Sequence, residues 1–242
     1  RHHCAMSTMV TEPFATSPLL DSLGFAHAFP ERAADDDHLR SRLGLIAQDG
    51  IAEVRQVHGA RVVLADDARG SEADAIVARS ASGRIAVGVR VADCVPVLAC
   101  AVDTVDVIAI PAGWRGIVLW VVRAGIEHLG GRQLAAAIGP SIGACCFEVG
   151  RDVADRIAQS APHARVIAPT PVGASTGADK VYVNLRAAVR AQLRAAGLDD
   201  YHIDDVPGCT RHEATRFHSF RRDGKSSGRM LASIVTKPQQ SP

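Results

Sequence analysis

The chain has 242 residues, 47% of them hydrophobic and 22% charged, which is enough to bury the core of one large domain or two small ones. Its formal net charge of +1 provides no overall field for binding nucleic acid or an acidic membrane surface. Aromatic residues make up only 4% of the chain, which disfavours a base-stacking surface for single strands.

The N-terminal region lacks the uninterrupted apolar stretch of a secretory signal. No apolar run approaches the roughly 20 residues that span a bilayer; the longest, 85–111, is interrupted by Arg90 and three aspartates. We therefore expect a cytoplasmic protein with no membrane partner. Residues 1–19 are predicted to form a flexible segment, and its first six residues resemble a cloning remnant. The catalytic domain is predicted to span 20–236, with 237–242 as a tail.

Six cysteines are too few for a disulfide scaffold in a chain of this length. Cys145 and Cys146 are adjacent in sequence, and adjacent cysteines bridge each other only with severe backbone strain. Reduced thiols are therefore expected. Both cysteines are predicted to be buried structural thiols, since most free cysteines behave as small apolar groups.

The first half of the chain predicts one helix and several strands. The acidic segment 31–44 predicts a surface loop that runs into a helix with an acidic first turn. A strand is expected at 51–57, and Gly59 separates it from a second extended piece. The most apolar region predicts strands at the centre of a sheet that is buried on both faces. These strands are expected at 84–91, 95–102 and 105–111.

Glycines delimit the elements that follow. After Gly116 the pattern predicts a helix that ends at Gly130. A strand is expected at 133–140, and another helix is expected to begin near Arg151.

The last third predicts a loop, a helix and two strands. Residues 168–178 are rich in Pro, Gly, Ser and Thr, which predicts a long mobile loop. Asn184 is the expected N-cap of a helix that Gly197 ends. Two short strands around a polar loop are expected between 201 and 235. Taken together, the elements predict an α/β (α+β) single domain with a mixed β-sheet flanked by helices.

Four loops interrupt these apolar elements with chemically capable side chains, and ligand sites collect at strand ends in α/β sheets. Taken singly, each motif also fits a structural role; a histidine before a glycine, for example, is more often structural than a ligand. The candidate residues are Gln56 and His58 in RQVHG, Asp93 and Cys94 in ADCVP, Trp114 and Arg115 in AGWRG, and His218, Arg221 and Arg222 in FHSFRRDG.

The motifs RQVHG, ADAIV, VADCVPVLA, AGWRG, IGPSIGACCFEVG, FHSFRRDG and SGRMLA occur in this order. This arrangement resembles the bacterial YfiH-type family, also called multicopper polyphenol oxidases, laccase-domain proteins or peptidoglycan editing factors. The resemblance runs from about residue 20 to about residue 236. It implies a YfiH-like fold and a zinc enzyme that phosphorolyses adenosine, inosine and S-methyl-5′-thioadenosine and also deaminates adenosine. Purine nucleosides and phosphate are the implied partners, and a monomer or homodimer is expected.

The resemblance implies that the metal is held by the histidine of QVHG, the cysteine of ADC and a second histidine directly before AGWRG. The first two positions are His58 and Cys94, but the third is Pro111, whose side chain has no donor atom. A catalytic zinc has about three protein ligands, so the chain departs here from the family pattern. His218 is the preferred substitute ligand, and copper is less expected than zinc. The other candidate substitutes are His212 and Asp93.

The roles of the remaining residues also come from the resemblance. Arginines suit an anionic phosphate because they bind it through two parallel hydrogen bonds. The implied catalytic residues are His58, Cys94 and Arg115. The residues implied to bind substrate or phosphate are Gln56, Trp114, His218, Arg221 and Arg222.

Several other functions remain open on the sequence. In a metal-free mechanism, His58 or His218 would activate Cys94 as a nucleophile. An amidase that edits a peptidoglycan precursor is a second enzyme hypothesis, and a catalytically weakened homologue that acts as a binding protein is a third. Polyphenol oxidation is the least expected, since a multicopper oxidase needs many more histidine and cysteine ligands than these loops supply.

Overall fold

The computed structural model describes residues 12–130, 133–174, 177 and 179–237. These residues form three sheets and seven α-helices. The strands are β1 Phe14–Ala15, β2 His27–Pro30, β3 Ile51–Ala52, β4 Val62–Leu64, β5 Ala75–Ala78, β6 Ala86–Val91, β7 Val95–Ala101, β8 Val107–Ala112, β9 Leu134–Ile138, β10 Glu148–Gly150, β11 Ile167–Ala168, β12 Lys180–Val183, β13 Ile203–Asp205 and β14 Met230–Val235. The helices are α1 Pro18–Ser22, α2 Asp36–Leu43, α3 Trp114–Val118, α4 Val121–Leu129, α5 Arg151–Gln159, α6 Leu185–Ala195 and α7 Phe220–Asp223.

The largest sheet has six strands in the order β13-β9-β7-β8-β5-β4, with parallel pairs at both ends and antiparallel pairs between them. A five-stranded sheet has the order β1-β2-β14-β6-β3, and a three-stranded sheet the order β10-β12-β11. The predicted α/β class is confirmed, but three sheets replace the single mixed sheet. The chain changes sheet between β6 and β7, where Asp93 has a left-handed backbone with φ 89°.

The six-stranded sheet is covered on both faces. Val87 and Ile234 of the five-stranded sheet share one apolar cluster with Leu98 of β7. On the opposite face, a second cluster joins the sheet to α4 and α6. Gly125 lets α4 approach β8 closely, because a Cβ there would lie 2.6 Å from Cδ1 of Ile110. Strands β7 and β8 are buried along their whole length, as their apolar runs predicted.

Several predicted elements differ in extent from the observed ones. The helix expected after Gly116 is two helices, because Trp120 adopts a left-handed backbone (φ 62°) between α3 and α4. The strand expected at 51–57 is limited to β3, and β5 was not predicted. Asn184 does cap α6, accepting the backbone N–H of Ala187 at 3.1 Å. The expected strands between 201 and 235 are β13 and β14.

The chain termini lie partly outside the described residues. Of the predicted flexible segment 1–19, residues 1–11 lie outside, whereas β1 pairs with β2 and Ser17 caps α1. The ordered domain thus begins before residue 20. The predicted loop 168–178 includes positions 175, 176 and 178, and the predicted tail includes 238–242; these positions also lie outside. None of the helices in the described part is long and apolar enough to cross a membrane.

His27 on β2 is fully buried. Its Nε2 accepts the backbone N–H of Ser17 at 2.8 Å, and its Nδ1 lies 2.9 Å from the carbonyl oxygen of Phe25. This pattern fits a neutral ring that carries its proton on Nδ1. Burial lowers the pKa of His27, although the nearby Asp21 carboxylate acts in the opposite direction.

We expect the free energy of unfolding to fall as the pH drops below 6.5, the ordinary pKa of histidine. The reason is that the unfolded chain binds a proton at His27 which the folded chain excludes until its own, lower pKa is reached. His27→Gln, which removes the titrating group, should give a flatter profile. Urea denaturation of both proteins between about pH 7.5 and about pH 5 measures this difference. Parallel profiles would contradict the assignment.

Candidate active site

The predicted motif loops meet at one end of the six-stranded sheet. Val95 begins β7 and lies opposite Ala112, the last residue of β8. Val97 pairs with Ile138, the last residue of β9, and Asp205 at the end of β13 pairs with Ile138 as well. The turn before β7 and the loops after β8, β9 and β13 therefore lie side by side.

A buried carboxylate holds the loop that carries His58. Asp74 lies directly before β5 and is 1% exposed. Its Oδ1 accepts the backbone N–H groups of Val57 at 3.0 Å and His58 at 2.6 Å, and its Oδ2 accepts that of Gly59 at 2.8 Å. His58 has φ 60°, which is uncommon for a residue with a side chain. These three hydrogen bonds fix the backbone that carries the exposed imidazole of His58. The ADAIV motif contains Asp74, but sequence reasoning assigned it no role.

Gln56 fastens the same loop to β6. Its Nε2 donates to the carbonyl oxygen of Arg90 at 2.9 Å, and its Oε1 accepts the backbone N–H of Arg90 at 2.7 Å. Both ends of the amide are therefore used within the protein. We assign Gln56 to positioning of the loop, whereas the sequence had predicted a contact with substrate.

His58 and Cys94 converge on Gly113. A Cβ at Gly113 would lie 2.8 Å from Sγ of Cys94 and 3.4 Å from Cδ2 of His58. Any larger residue at position 113 would collide with the Cys94 thiol unless that side chain moved. The structure thus brings together three of the predicted motif loops, QVHG, ADC and AGWRG.

The environment of Cys94 keeps its thiol neutral. Cys94 is half-buried against Phe217 and Met230. Burial raises the pKa of Cys94 to about 11; the Asp93 carboxylate acts in the same direction and Arg229 opposes it. A thiol with this pKa is protonated at neutral pH, which disfavours the metal-free nucleophile hypothesis.

Asp93 joins three loops and is not a free metal ligand. Its Oδ1 accepts the hydroxyl of Thr210 at 2.6 Å, and its Oδ2 accepts the backbone N–H of Arg221 at 2.6 Å. Its carbonyl oxygen accepts the N–H of Ile142 at 3.1 Å. Both carboxylate oxygens are thus used in holding the loops around Cys94.

Arg115 offers a cation to an anionic ligand. It is exposed, and its Cζ lies 4.7 Å from the centroid of the half-buried Trp114 ring. Arg156 on α5 also lies over this ring, at 5.8 Å. Within the described part of the chain, the Arg115 guanidinium has no hydrogen-bond acceptor or carboxylate partner. Its N–H donors are therefore available.

Arg222 is bound entirely within the protein. Its Nε and Nη2 donate to the Asp223 carboxylate, both at 2.8 Å, and Nη2 also donates to the carbonyl oxygen of Phe217 at 2.9 Å. Its Nη1 donates to the carbonyl oxygens of Thr210 and Arg211 at 2.8 and 3.2 Å. A guanidinium has five N–H donors, so none remains for phosphate. We assign Arg222 to the structure of its loop, in place of the predicted phosphate contact.

Two other cations lie near the site. Arg221 is exposed, donates through Nη1 to the carbonyl oxygen of Glu148 at 2.9 Å, and lies over the Phe147 ring at 5.2 Å. Arg229, in the SGRMLA motif, is also exposed and lowers the pKa of Cys94 through its charge. Sequence reasoning assigned no role to Arg229, although its motif was recognised.

His218 packs against Gly228. A Cβ at Gly228 would lie 2.6 Å from the His218 ring, which lines a cavity of about 70 Å³ together with Arg32 and Arg229. Burial lowers the pKa of His218, and these arginines add to the effect. Across the described residues, the one group that could hold a metal through three or more His, Cys, Asp or Glu side chains does not contain His218.

Zinc therefore lacks a complete ligand set beside Gly113. His58 and Cys94 supply two donors, and Pro111 is buried in β8 opposite Pro96. A catalytic zinc has three protein ligands, so the residues here do not fit it. That His58 and Cys94 bind a metal stays a prediction.

The group that could hold a metal lies in the neighbouring loops after β9 and β13. It consists of Cys145, Cys146, Cys209 and His212, whose ligand atoms all lie within 4.8 Å of one another. Cys145 is exposed, so the prediction that both adjacent cysteines are buried packing residues is wrong for Cys145. His212, considered as a substitute ligand for His58 and Cys94, belongs to this other group.

A cavity of about 700 Å³ lies elsewhere on the molecule. Its walls include the exposed side chains of Arg61, Asp67, Arg69 and His128, and none of the predicted site residues lines it. The convergence of motif loops at the end of the sheet, rather than cavity size, defines the candidate site.

Comparison with known proteins identifies the family of the chain. Residues 31–237 match the family described as "Multi-copper polyphenol oxidoreductase laccase". The chain is 35% identical over 226 residues to "Adenosine deaminase RL5" from an unknown prokaryotic organism, an alignment that covers 84% of each chain. It is 36% identical over 182 residues to "Purine nucleoside phosphorylase PA4543" of Pseudomonas aeruginosa, covering 74% of this chain and 71% of that protein.

The fold is also shared with a solved structure. The crystal structure of YlmD from Geobacillus stearothermophilus superposes on this chain with a TM-score of 0.74 at 24% sequence identity. The alignment covers 94% of this chain and all of that one. This similarity confirms the expected fold.

Proposed function

Because the chain belongs to the multi-copper polyphenol oxidoreductase laccase family, we propose that it is a purine nucleoside phosphorylase with adenosine deamination as a second, weaker activity. The observation that carries the proposal is the convergence of three motif loops at Gly113, which packs against Cys94 and His58 and lies two residues before the unpaired cation of Arg115. The names of two relatives, a purine nucleoside phosphorylase and an adenosine deaminase, support the same pair of reactions.

Phosphorolysis needs a bound phosphate beside the glycosidic bond. A phosphate oxygen attacks C1′ of the ribose, the C1′–N9 bond breaks, and the purine leaves with the bonding electron pair and takes up a proton. Arg115 has free donors for this phosphate, and Arg221 retains donors beyond its bond to Glu148. Trp114 supports Arg115 through the cation–π contact at 4.7 Å.

His58 is the group best placed to deliver the proton to the leaving purine. Imidazole is the side chain that enzymes use most often for proton transfer. The three backbone hydrogen bonds that Asp74 accepts preorganise the backbone at His58, so little reorganisation is needed during the reaction. The neutral thiol of Cys94 lies beside Gly113, next to the His58 ring.

No step is assigned to a metal, since His58 and Cys94 do not complete a zinc site. Zinc deaminases depend on the metal to activate the attacking water. Deamination is therefore expected to be weaker than phosphorolysis in this chain.

The activity is tested by incubating the protein with adenosine, with and without phosphate, and separating the products chromatographically. We expect adenine and ribose 1-phosphate only when phosphate is present. Adenine release that is independent of phosphate would identify a hydrolase instead. Formation of neither adenine nor inosine would overturn the proposal and favour the binding-protein hypothesis.

Arg115→Ala should raise the KM for phosphate by about 10-fold to about 100-fold, because a charge-assisted hydrogen-bonding partner of the anion is lost. Initial rates at varied phosphate measure the change. Arg123→Ala is the matched control, since Arg123 is also exposed and forms only a surface ion pair with Glu127. The same KM in the two variants would refute the phosphate role of Arg115.

A further inference from the structure

We propose that Cys145, Cys146, Cys209 and His212 form a structural zinc site that is distinct from the space around Gly113. The site joins the loop after β9 to the loop after β13. It requires no phosphorylase activity, and the proposal does not rest on one.

The three distances from Sγ of Cys145 to the other ligand atoms match a tetrahedral zinc site, and the remaining pairs lie within 4.8 Å. Sγ of Cys145 lies 3.7 Å from Sγ of Cys146, 3.7 Å from Sγ of Cys209 and 3.3 Å from Nδ1 of His212. Zinc–sulfur bonds of about 2.3 Å and zinc–nitrogen bonds of about 2.0 Å place tetrahedral ligands about 3.8 Å (S to S) and about 3.5 Å (S to N) apart. The loops therefore need to move little to receive the ion.

The type of the four donor atoms indicates which metal would bind and whether its role is structural or catalytic. Three thiolates and one imidazole form the Cys₃His set of structural zinc sites. Magnesium and calcium prefer oxygen ligands, so this set excludes them. Four protein ligands leave no open position for water or substrate, which indicates a structural ion rather than a catalytic one.

The surroundings of the cluster suit metal-bound thiolates. The backbone N–H of Gly143 donates to Sγ of Cys209 at 3.2 Å. The Arg211 guanidinium lies near enough to Cys146 and Cys209 for its charge to act on both thiols. Such partners orient metal ligands and offset their negative charge. A Cβ at Gly143 would lie 3.0 Å from Sγ of Cys145, so glycine keeps the cluster tight.

The two loops that the ion would join support the candidate active site. Ser141 and Cys209 form a parallel bridge, and the backbone N–H of Thr210 donates to the carbonyl oxygen of Ser141 at 3.0 Å. The Thr210 hydroxyl donates to Asp93, which is the neighbour of Cys94. Zinc would therefore stabilise the loops that hold the turn carrying Cys94.

The test measures metal content directly. The protein is loaded with Zn²⁺, passed through a desalting column, and analysed for zinc per chain by elemental analysis. We expect His212→Ala and Cys209→Ser to lose about one zinc per chain relative to the unchanged protein. Cys94→Ser, the matched control, should lose none. His212 is exposed, so its replacement leaves the fold intact, which circular dichroism verifies.

Cobalt provides a second readout that does not depend on activity. Co²⁺ in the site should give an intense thiolate-to-metal absorption band that Cys209→Ser weakens and Cys94→Ser leaves unchanged. Any metal that binds outside these four residues is the same in every variant and cancels in the comparison.

Three results would overturn the proposal. They are equal zinc in the unchanged protein and His212→Ala, zinc loss in Cys94→Ser alone, and a Cys145–Cys209 disulfide in the protein purified under reducing conditions. None of these results bears on phosphorolysis, so failure here and failure of the proposed function are distinguishable.

Discussion

Asp74→Asn should lower the free energy of unfolding by about 2–4 kcal/mol and reduce phosphorolysis by about 100-fold. The buried carboxylate accepts three backbone N–H groups from residues 57 to 59. An asparagine keeps one acceptor oxygen and directs its own N–H₂ donors at the remaining amides. The loop would lose its left-handed turn at His58, and the imidazole would move away from Gly113. Urea denaturation and adenine release at saturating phosphate measure the two effects.

Asp67→Asn is the matched control, because Asp67 is exposed and its carboxylate has no described partner. It should change the free energy of unfolding by less than about 0.5 kcal/mol. If Asp74→Asn unfolds like this control, Asp74 does not hold the loop. If Asp74→Asn is destabilised but fully active, the placement of His58 does not matter for the reaction.

Pro111→His should add about one zinc per chain and raise adenosine deamination by at least about 10-fold. The backbone turns at Ala112, where the N–H of Gly113 donates to the carbonyl oxygen of Pro111 at 3.0 Å, so positions 111 and 113 lie close together. Gly113 packs against Cys94 and His58, and we expect an imidazole at position 111 to reach these two donors. It would supply the third donor that this site lacks. Elemental analysis and inosine formation measure the gain.

The double variant Pro111→His with Cys94→Ser controls for the position of the new metal. It should lose both the added zinc and the added activity. If Pro111→His gains neither zinc nor activity, the missing ligand does not limit the reaction. A gain that survives Cys94→Ser would mean that the metal binds elsewhere.

Local patterns were sufficient for much of the secondary structure. Asn184 was recognised as an N-cap because its side chain bonds to a backbone N–H only three residues away. Strands β7 and β8 were predicted from continuous apolar runs, which local sequence displays directly. The division of the strands between sheets was not predicted, because nothing in the local sequence around Asp93 signals its positive φ.

The motif order likewise indicated which loops belong to the site, and the sequence showed directly that position 111 is not a histidine. The hydrogen-bond partners of each side chain could not be predicted in this way. Arg115 and Arg222 are both motif arginines, yet only the structure distinguishes the unpaired one from the one whose donors are all used.

The sequence by itself determined the family pattern, the apolar centre of the sheet and the loss of a donor at Pro111. Only the tertiary structure decided which distant residues meet. Asp93 bonds to the backbone of Arg221 across 128 positions, and Cys145 meets Cys209 across 64. The physical reason is that caps and hydrophobic periods arise between neighbours in the chain, whereas hydrogen-bond partners and metal ligands depend on how separate strands come together at the end of one sheet.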